Sequence, residues 1–283
     1  MRQAMGSGGG MFPKAGRAVK TLVVVHVVAY VTFLILLRLG VDFAAEELAL
    51  VPRDFLTRGR LWQAATSVLI HAPNDVGHLL FNMLFLWWFG GPIEGWWGAR
   101  GLYRAYIVSA LGGVLLTVLA GLAVLPLGPE SSLYHLWTGA HLGASGAVLG
   151  LTICWGAVLW DERMNFMLFG EMRVRTFVLV LIGIQVLTAL SFDGTSSTSH
   201  FGGILAGYLL GRGTLDRWWR ALRPARLKNR MTKLRVDRKL AERERTKGRF
   251  EVIDGGRDGE PGRDTAGRPF WGRKDDEDDP IVH

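Results

Sequence analysis

Gly143-Ala144-Ser145-Gly146 stands at the head of an apolar segment, residues 144–160, and sets a hydroxyl between glycines in its first turn. Small residues of this kind are common where helices pack closely in lipid, so the serine alone reads as a packing residue. Two other apolar segments change that reading, because they carry polar side chains near their ends: His78 and Asn82 on one, His200 on another.

The 283-residue chain is 49% hydrophobic with 11 Trp, and its mean hydropathy is +0.21. That is too apolar for an ordinary soluble domain of this size. The single cysteine, Cys154, lies inside an apolar segment, so a disulfide framework is excluded. The formal net charge of +8 is unevenly placed: of 33 Lys and Arg, 13 precede residue 212 and 20 follow from Arg212 onward. A cationic tail on a membrane domain fits a cytoplasmic segment held near anionic lipid headgroups, and no nucleic-acid partner is expected.

Residues 1–20 read as a disordered cytoplasmic N-terminus, Gly-rich and closed by Lys14, Arg17 and Lys20. Residues 21–39 are long enough to span, and no small-residue cleavage pattern follows them, so an uncleaved first helix is expected. His26 within it reads as a packed or interfacial side chain. Residues 40–66 are too polar to span, with Glu46, Glu47, Arg53, Arg58 and Trp62, and predict an ordered interfacial loop with short helical pieces. Helix 2 is expected at 76–97, ending in Trp87, Trp88, Trp96 and Trp97 as an interfacial belt would. Helix 3 follows at 102–125, helix 4 at 144–160, helix 5 at 176–192 and helix 6 at 200–210.

The basic residues alternate between the connections. Arg100 and Arg104 lie at the turn between helices 2 and 3, Arg104 in the first turn of helix 3, and Arg163, Arg173 and Arg175 lie between helices 4 and 5, whereas residues 126–142 and 193–199 contain no Lys or Arg. Placing both termini and the two basic turns in the cytoplasm satisfies the positive-inside rule, with Arg53, Arg58 and Arg60 as the exception. The expected fold is therefore an all-α membrane protein, a six-transmembrane-helix bundle over residues 21–212 with an interfacial loop between helices 1 and 2. No internal repeat points to a transporter. Residues 213–250 predict a basic helical segment on the membrane surface, with Leu215, Trp218, Trp219, Leu222 and Leu227 between arginines. Residues 251–283, with the acidic run Asp275 to Asp279, read as a disordered charged tail.

In this orientation Ser145, His200, His78 and Asn82 all fall in the outer halves of their helices, at similar depth. His78 and Asn82, four apart, share a face. His200, Gly203 and Gly207 share another, and Gly146 and Gly150 on helix 4 supply a matching stripe. Helices 4 and 6 are thus expected to touch and to bring Ser145 and His200 together. A serine attacks only when a base takes its proton, and an imidazole is the usual base, so the pair makes a Ser-His dyad. Acyl transfer also needs donors aimed at the oxyanion, and the Asn82 amide, His78 and the Ser145 N–H at a helix start can supply them. Asp193 reads as a solvated loop residue rather than a third member.

The pattern resembles the rhomboid intramembrane serine proteases over about residues 60–212. His71, His78-Leu79-Leu80-Phe81-Asn82, Gly90-Gly91-Pro92-Ile93-Glu94, Gly143-Ala144-Ser145-Gly146 and Ser199-His200-Phe201-Gly202-Gly203, with Gly207, carry the resemblance. It implies a six-helix bundle whose water-filled cavity opens to the extracytoplasmic side of the cell membrane. Ser145 would be the nucleophile, His200 the base, and His78 and Asn82 the oxyanion donors. Substrates would be single-span transmembrane proteins, cut in or near the membrane with no cofactor and no metal. Three positions depart from the family: Gln63 follows Trp62 where an Arg is frequent, His71 and His78 are two residues further apart, and Leu149 stands where many members place a Tyr against the catalytic His.

Other readings keep a place. A catalytically inactive relative would bind or escort transmembrane clients. A metal site would draw on His71, His78, His135, His141 and His200, but His-Glu-x-x-His is absent and no carboxylate joins the set. A small transporter also places His and Asn in the membrane. An α/β-hydrolase is excluded, because Ala147 stands where Gly-x-Ser-x-Gly requires glycine and no sheet is expected.

Overall fold

The computed structural model describes residues 14–41, 43–166, 170–190 and 197–214, all within one compact unit, Met1–Arg220. The expectations for residues 1–13, for Asp193 and for residues 215–283 lie outside the described residues.

Helix α1 (Arg17–Arg38) contains the first apolar run and begins four residues before its expected limit, so residues 17–20, expected to be disordered, are helical. Its start is capped from a distance: both carboxylate oxygens of Glu94 accept from the chain, Oε1 from Ala18 N–H at 2.9 Å and Oε2 from Val19 N–H at 3.0 Å. A carboxylate there satisfies two donors that a helix leaves open and faces the positive end of the dipole. Its end is a Schellman motif, in which Val41 N–H reaches Leu36 O and Gly40 N–H reaches Leu37 O. Gly40 takes the left-handed conformation this requires, at φ 80°.

The polar stretch that follows forms three short helices, α2 (Phe43–Leu48), α3 (Pro52–Thr57) and α4 (Gln63–Leu69). The segment around α3 is pinned by a buried carboxylate, which Arg60 links to α2. Asp54 is bonded by Arg53 at 2.9 Å, Arg58 at 3.1 Å and Arg60 at 2.9 Å, and Arg60 also meets Glu47 at 2.6 Å. The three arginines that broke the charge pattern are thus locally compensated. Burial works against ionisation of Asp54, but the hydrogen bond from Arg53 and the charges of Arg53, Arg58 and Arg60 hold its carboxyl below the ordinary value.

Helix α5 (Val76–Ala123) contains both expected spans 76–97 and 102–125, joined not by a loop but by one non-helical residue, Gly98, at φ 69° and ψ 177°. A Cβ on Gly90 would lie 3.5 Å from Leu102 Cδ1. Along a straight helix those positions would be about 18 Å apart, so the two arms fold back on each other. The chain continues through a short helix α6 (His135–Thr138) to α7 (Ser145–Val158). Every residue of α7 from Gly146 to Ala157 is buried, as expected of a helix that is apolar on all sides.

Residues 161–175, expected as a loop, contain an antiparallel hairpin of β1 (Arg163–Phe166) and β2 (Gly170–Arg173), with Arg163 opposite Arg173. Four-residue strands are too short to register as an alternating pattern. Helices α8 (Val174–Leu190) and α9 (Ser197–Gly211) complete the described fold. Large apolar side chains face outward on α1 (Val24, Val28, Ile35), on the second arm of α5 (Ile107, Leu111, Leu115) and on α8 (Leu179, Ile184, Leu187). Apolar exposure on this scale exceeds that of an aqueous surface and fits contact with lipid.

Candidate active site

Ser145 is the first residue of α7, and His200 lies in the first turn of α9. Their side chains are in contact, with Ser145 Oγ 2.7 Å from His200 Nε2. The helices meet without side chains between them. A Cβ on Gly203 would collide with the Gly146 carbonyl, and one on Gly207 with the Gly150 carbonyl, while a Cβ on Gly146 would stand 2.7 Å from Ser199 O. Backbone lies on backbone, which is what sets the serine and the imidazole at hydrogen-bonding distance.

The other face of α9 is equally close to the second arm of α5. A Cβ on Gly113 would stand 2.8 Å from Ser199 O, and one on Gly112 2.7 Å from Gly202 O. The stripe through Gly203 and Gly207 was legible by spacing. The opposing face, Gly202 against Gly112 and Gly113, was not, although a glycine pair inside an apolar span was a signal for it.

The turn entering α7 is held from the other side of the site. Gly143 N–H donates to Ser67 O at 2.8 Å, and Ala144 N–H to His71 Nε2 at 3.4 Å. Gly143 has φ +111°, and a Cβ there would also stand 2.7 Å from His78 Cε1 and 3.0 Å from His78 Nε2. Only glycine satisfies both demands. His78 begins α5 under an Asp75 cap, the carboxylate accepting from His78 N–H at 3.0 Å. Asn82, buried one turn deeper, donates from Nδ2 to His78 O at 2.8 Å. His78 therefore packs on the turn before Ser145, and Asn82 is tied to the same helix face.

Behind His78 lies a run of buried rings. His71 meets His78 edge-on at 5.2 Å and His26 at 5.6 Å between centroids, and His26 Nε2 is 2.7 Å from Tyr106 Oη. His71, in the link between α4 and α5, is pushed down to about 3, first by burial and then by the charges His26 and His78 would carry. Neutral and carrying its proton on Nδ1, the ring offers its Nε2 lone pair to Ala144 N–H. Among the described residues no group of three His, Cys, Asp or Glu side chains is arranged to hold a metal ion.

Spacing alone assigns no role to Gln185, which stands on α8 with Oε1 2.7 Å from His200 Nδ1. Its signal was faint, a lone amide inside the apolar run 176–192. As an arrangement, a hydroxyl hydrogen-bonded to an imidazole whose other nitrogen is also engaged can pass a proton from Ser145 Oγ to His200 Nε2 and return it.

The family model described as the Rhomboid domain matches residues 58–217. RHOMBOID-like protein 5 of Arabidopsis thaliana is 28% identical over 166 residues, which cover 59% of this chain and 48% of that protein. Rhomboid protease GluP of Bacillus subtilis is 26% identical over 168 residues, 59% of this chain and 28% of its own length. Rhomboid protease GlpG of Haemophilus influenzae is 26% identical over 154 residues, 53% and 68% respectively. The chain thus spans less than half the length of the first two of these relatives.

Proposed function

The chain belongs to the rhomboid family, whose members are membrane proteins, and from that premise we propose that it is an intramembrane serine endopeptidase acting through a Ser145-His200 dyad. The observation that carries this reading is the 2.7 Å contact between Ser145 Oγ and His200 Nε2 at two helix starts. Ser145 attacks the carbonyl carbon of the scissile bond as its proton passes to His200 Nε2. The oxyanion is met by the Ser145 N–H, His78 and Asn82. The imidazolium then returns its proton to the leaving amine, and water hydrolyses the acyl-enzyme by the same route in reverse.

Six spans are proposed: α1, the two arms of α5, α7, α8 and α9, with both termini cytoplasmic and the site opening to the extracytoplasmic side of the cell membrane. Helix α7 has 14 residues, which span about 21 Å of a hydrocarbon core roughly 30 Å thick. Ser145 at its start is then recessed below the surface, where a single-span transmembrane protein can present an unwound segment to it. The basic segment 213–250 is proposed to lie against anionic headgroups, and no cofactor takes part.

Cleavage of a single-span substrate in liposomes by the full chain, compared with Ser145→Ala, tests the reading. Wild type is expected to cleave and to be modified at Ser145 by an alkylphosphonate, and the variant to do neither. A folded wild type that neither cleaves nor labels would replace the protease with a relative that binds transmembrane clients.

A further inference from the structure

We propose that Gln185 is the positioning residue of the site, an amide acceptor that fixes the tautomer and plane of His200. The inference rests on the serine protease reading, and its observation is the 2.7 Å contact between Gln185 Oε1 and His200 Nδ1. With the amide oxygen, which only accepts, facing the ring, Nδ1 carries the proton. Nε2 is then left with its lone pair, directed at Ser145 Oγ 2.7 Å away. The other tautomer would set a donor against the serine hydroxyl and leave no base.

The two contacts come from different helices. α9 carries the imidazole, α7 the hydroxyl and α8 the amide, so His200 is held at both nitrogens by elements on either side of it. When the serine proton arrives at Nε2 the ring becomes a cation that donates from both nitrogens, and the Gln185 oxygen accepts a bond that strengthens with the charge. Such an acceptor favours the transition state over the resting state, which affects kcat more than KM. A polar side chain is costly in a lipid-facing helix, and the other residues of 176–192 are apolar or small hydroxyls apart from this one amide. No charge is needed for the task. A neutral acceptor orients the ring without the desolvation cost of a buried carboxylate.

Three substitutions in the full chain, assayed in liposomes on a single-span substrate, test this. Gln185→Met keeps the length of the side chain and Gln185→Leu suits an apolar helix, and neither offers the oxygen; Gln185→Glu restores an acceptor. Met and Leu are expected to lower kcat about 10- to 100-fold with KM within about twofold of wild type, the size of a lost hydrogen bond to a charged group. Glu is expected to recover most of the loss, to within about fivefold of wild type. Thermal midpoints confirm folding, and whichever non-accepting variant folds is read.

Wild-type rates in Met or Leu would overturn the proposal and leave the dyad standing. Equal losses in Met, Leu and Glu, or a loss in KM alone, would assign Gln185 to packing and overturn it as well. Cleavage that survives Ser145→Ala would instead remove the Ser145-His200 dyad reading and this proposal with it.

Discussion

A methyl group at position 203 is the smallest perturbation that separates α7 from α9. Its carbon would collide with the Gly146 carbonyl oxygen and lie 2.6 Å from the carbonyl carbon, whereas ordinary contact begins at 3.4 Å. Both partners are backbone within helices, so neither can turn aside. The helices must part by about 1 Å. Gly203 is one turn from His200, and Gly146 follows Ser145 directly, so the separation is applied to the dyad itself. A contact of 2.7 Å would open beyond hydrogen-bonding range. A misplacement of about 1 Å costs roughly 100-fold in rate, and overpacking of this kind costs roughly 1–3 kcal/mol in stability. Gly203→Ala is therefore expected to lose about 100-fold in kcat/KM on a single-span substrate in liposomes and to melt earlier. Gly183→Ala on α8 is the control, because a Cβ there meets nothing within 4 Å. Its rate should equal that of wild type, with a helix gain of up to about 1 kcal/mol. Activity of Gly203→Ala within about threefold of wild type would refute the packing account of the dyad distance.

Two further outcomes concern stability. Glu94→Gln removes the charge that caps α1 at Ala18 and Val19, and should lower stability by roughly 1–2 kcal/mol, read as a lower thermal midpoint in detergent; an unchanged midpoint would deny the cap any weight. Asp54 has a folded value held below its ordinary 3.8, so its ion pairs contribute stability above that value and lose it as pH falls through the folded one. The midpoint difference between wild type and Asp54→Asn should be present at neutral pH and shrink below about pH 4; a difference independent of pH would assign Asp54 to hydrogen bonding alone.

The helices were legible because each is an apolar run, and α1, α7, α8 and α9 differ from their expected limits by only a few residues. The joint between the arms of α5 falls in the expected gap between 97 and 102, and the fold selects Gly98 rather than Gly101 within it. At the site, regular spacing was the readable part. Glycines four apart on two segments indicated which helix faces meet, and from that the approach of Ser145 to His200 followed. What escaped was set by partners far apart in sequence. Glu94 caps a helix 75 residues earlier, three arginines that seemed misplaced surround Asp54, and Gln185 gains a meaning only once α8 lies beside α9. A single polar residue in an apolar run has no period, so nothing in its own segment says what it will face.

Which backbone donors can serve an oxyanion follows from what the turn before α7 has already committed. Gly143 N–H is used by Ser67 O and Ala144 N–H by His71 Nε2, so neither is directed at a substrate. The next N–H in the chain is that of Ser145, and it belongs to the first turn of α7, where a helix provides no internal acceptor. His71 makes this division possible only while neutral, because a protonated ring would oppose Ala144 N–H with a second donor. With burial pushing its value down to about 3, the ring is neutral at neutral pH. Burial of His71 thus fixes the turn, the turn reserves the Ser145 N–H, and Gly143 leaves room for His78 beside it. The proposed oxyanion site would in this way follow from how residues 71 to 78 pack against residues 143 to 145, one step removed from the contact between Ser145 and His200 that α7 and α9 create.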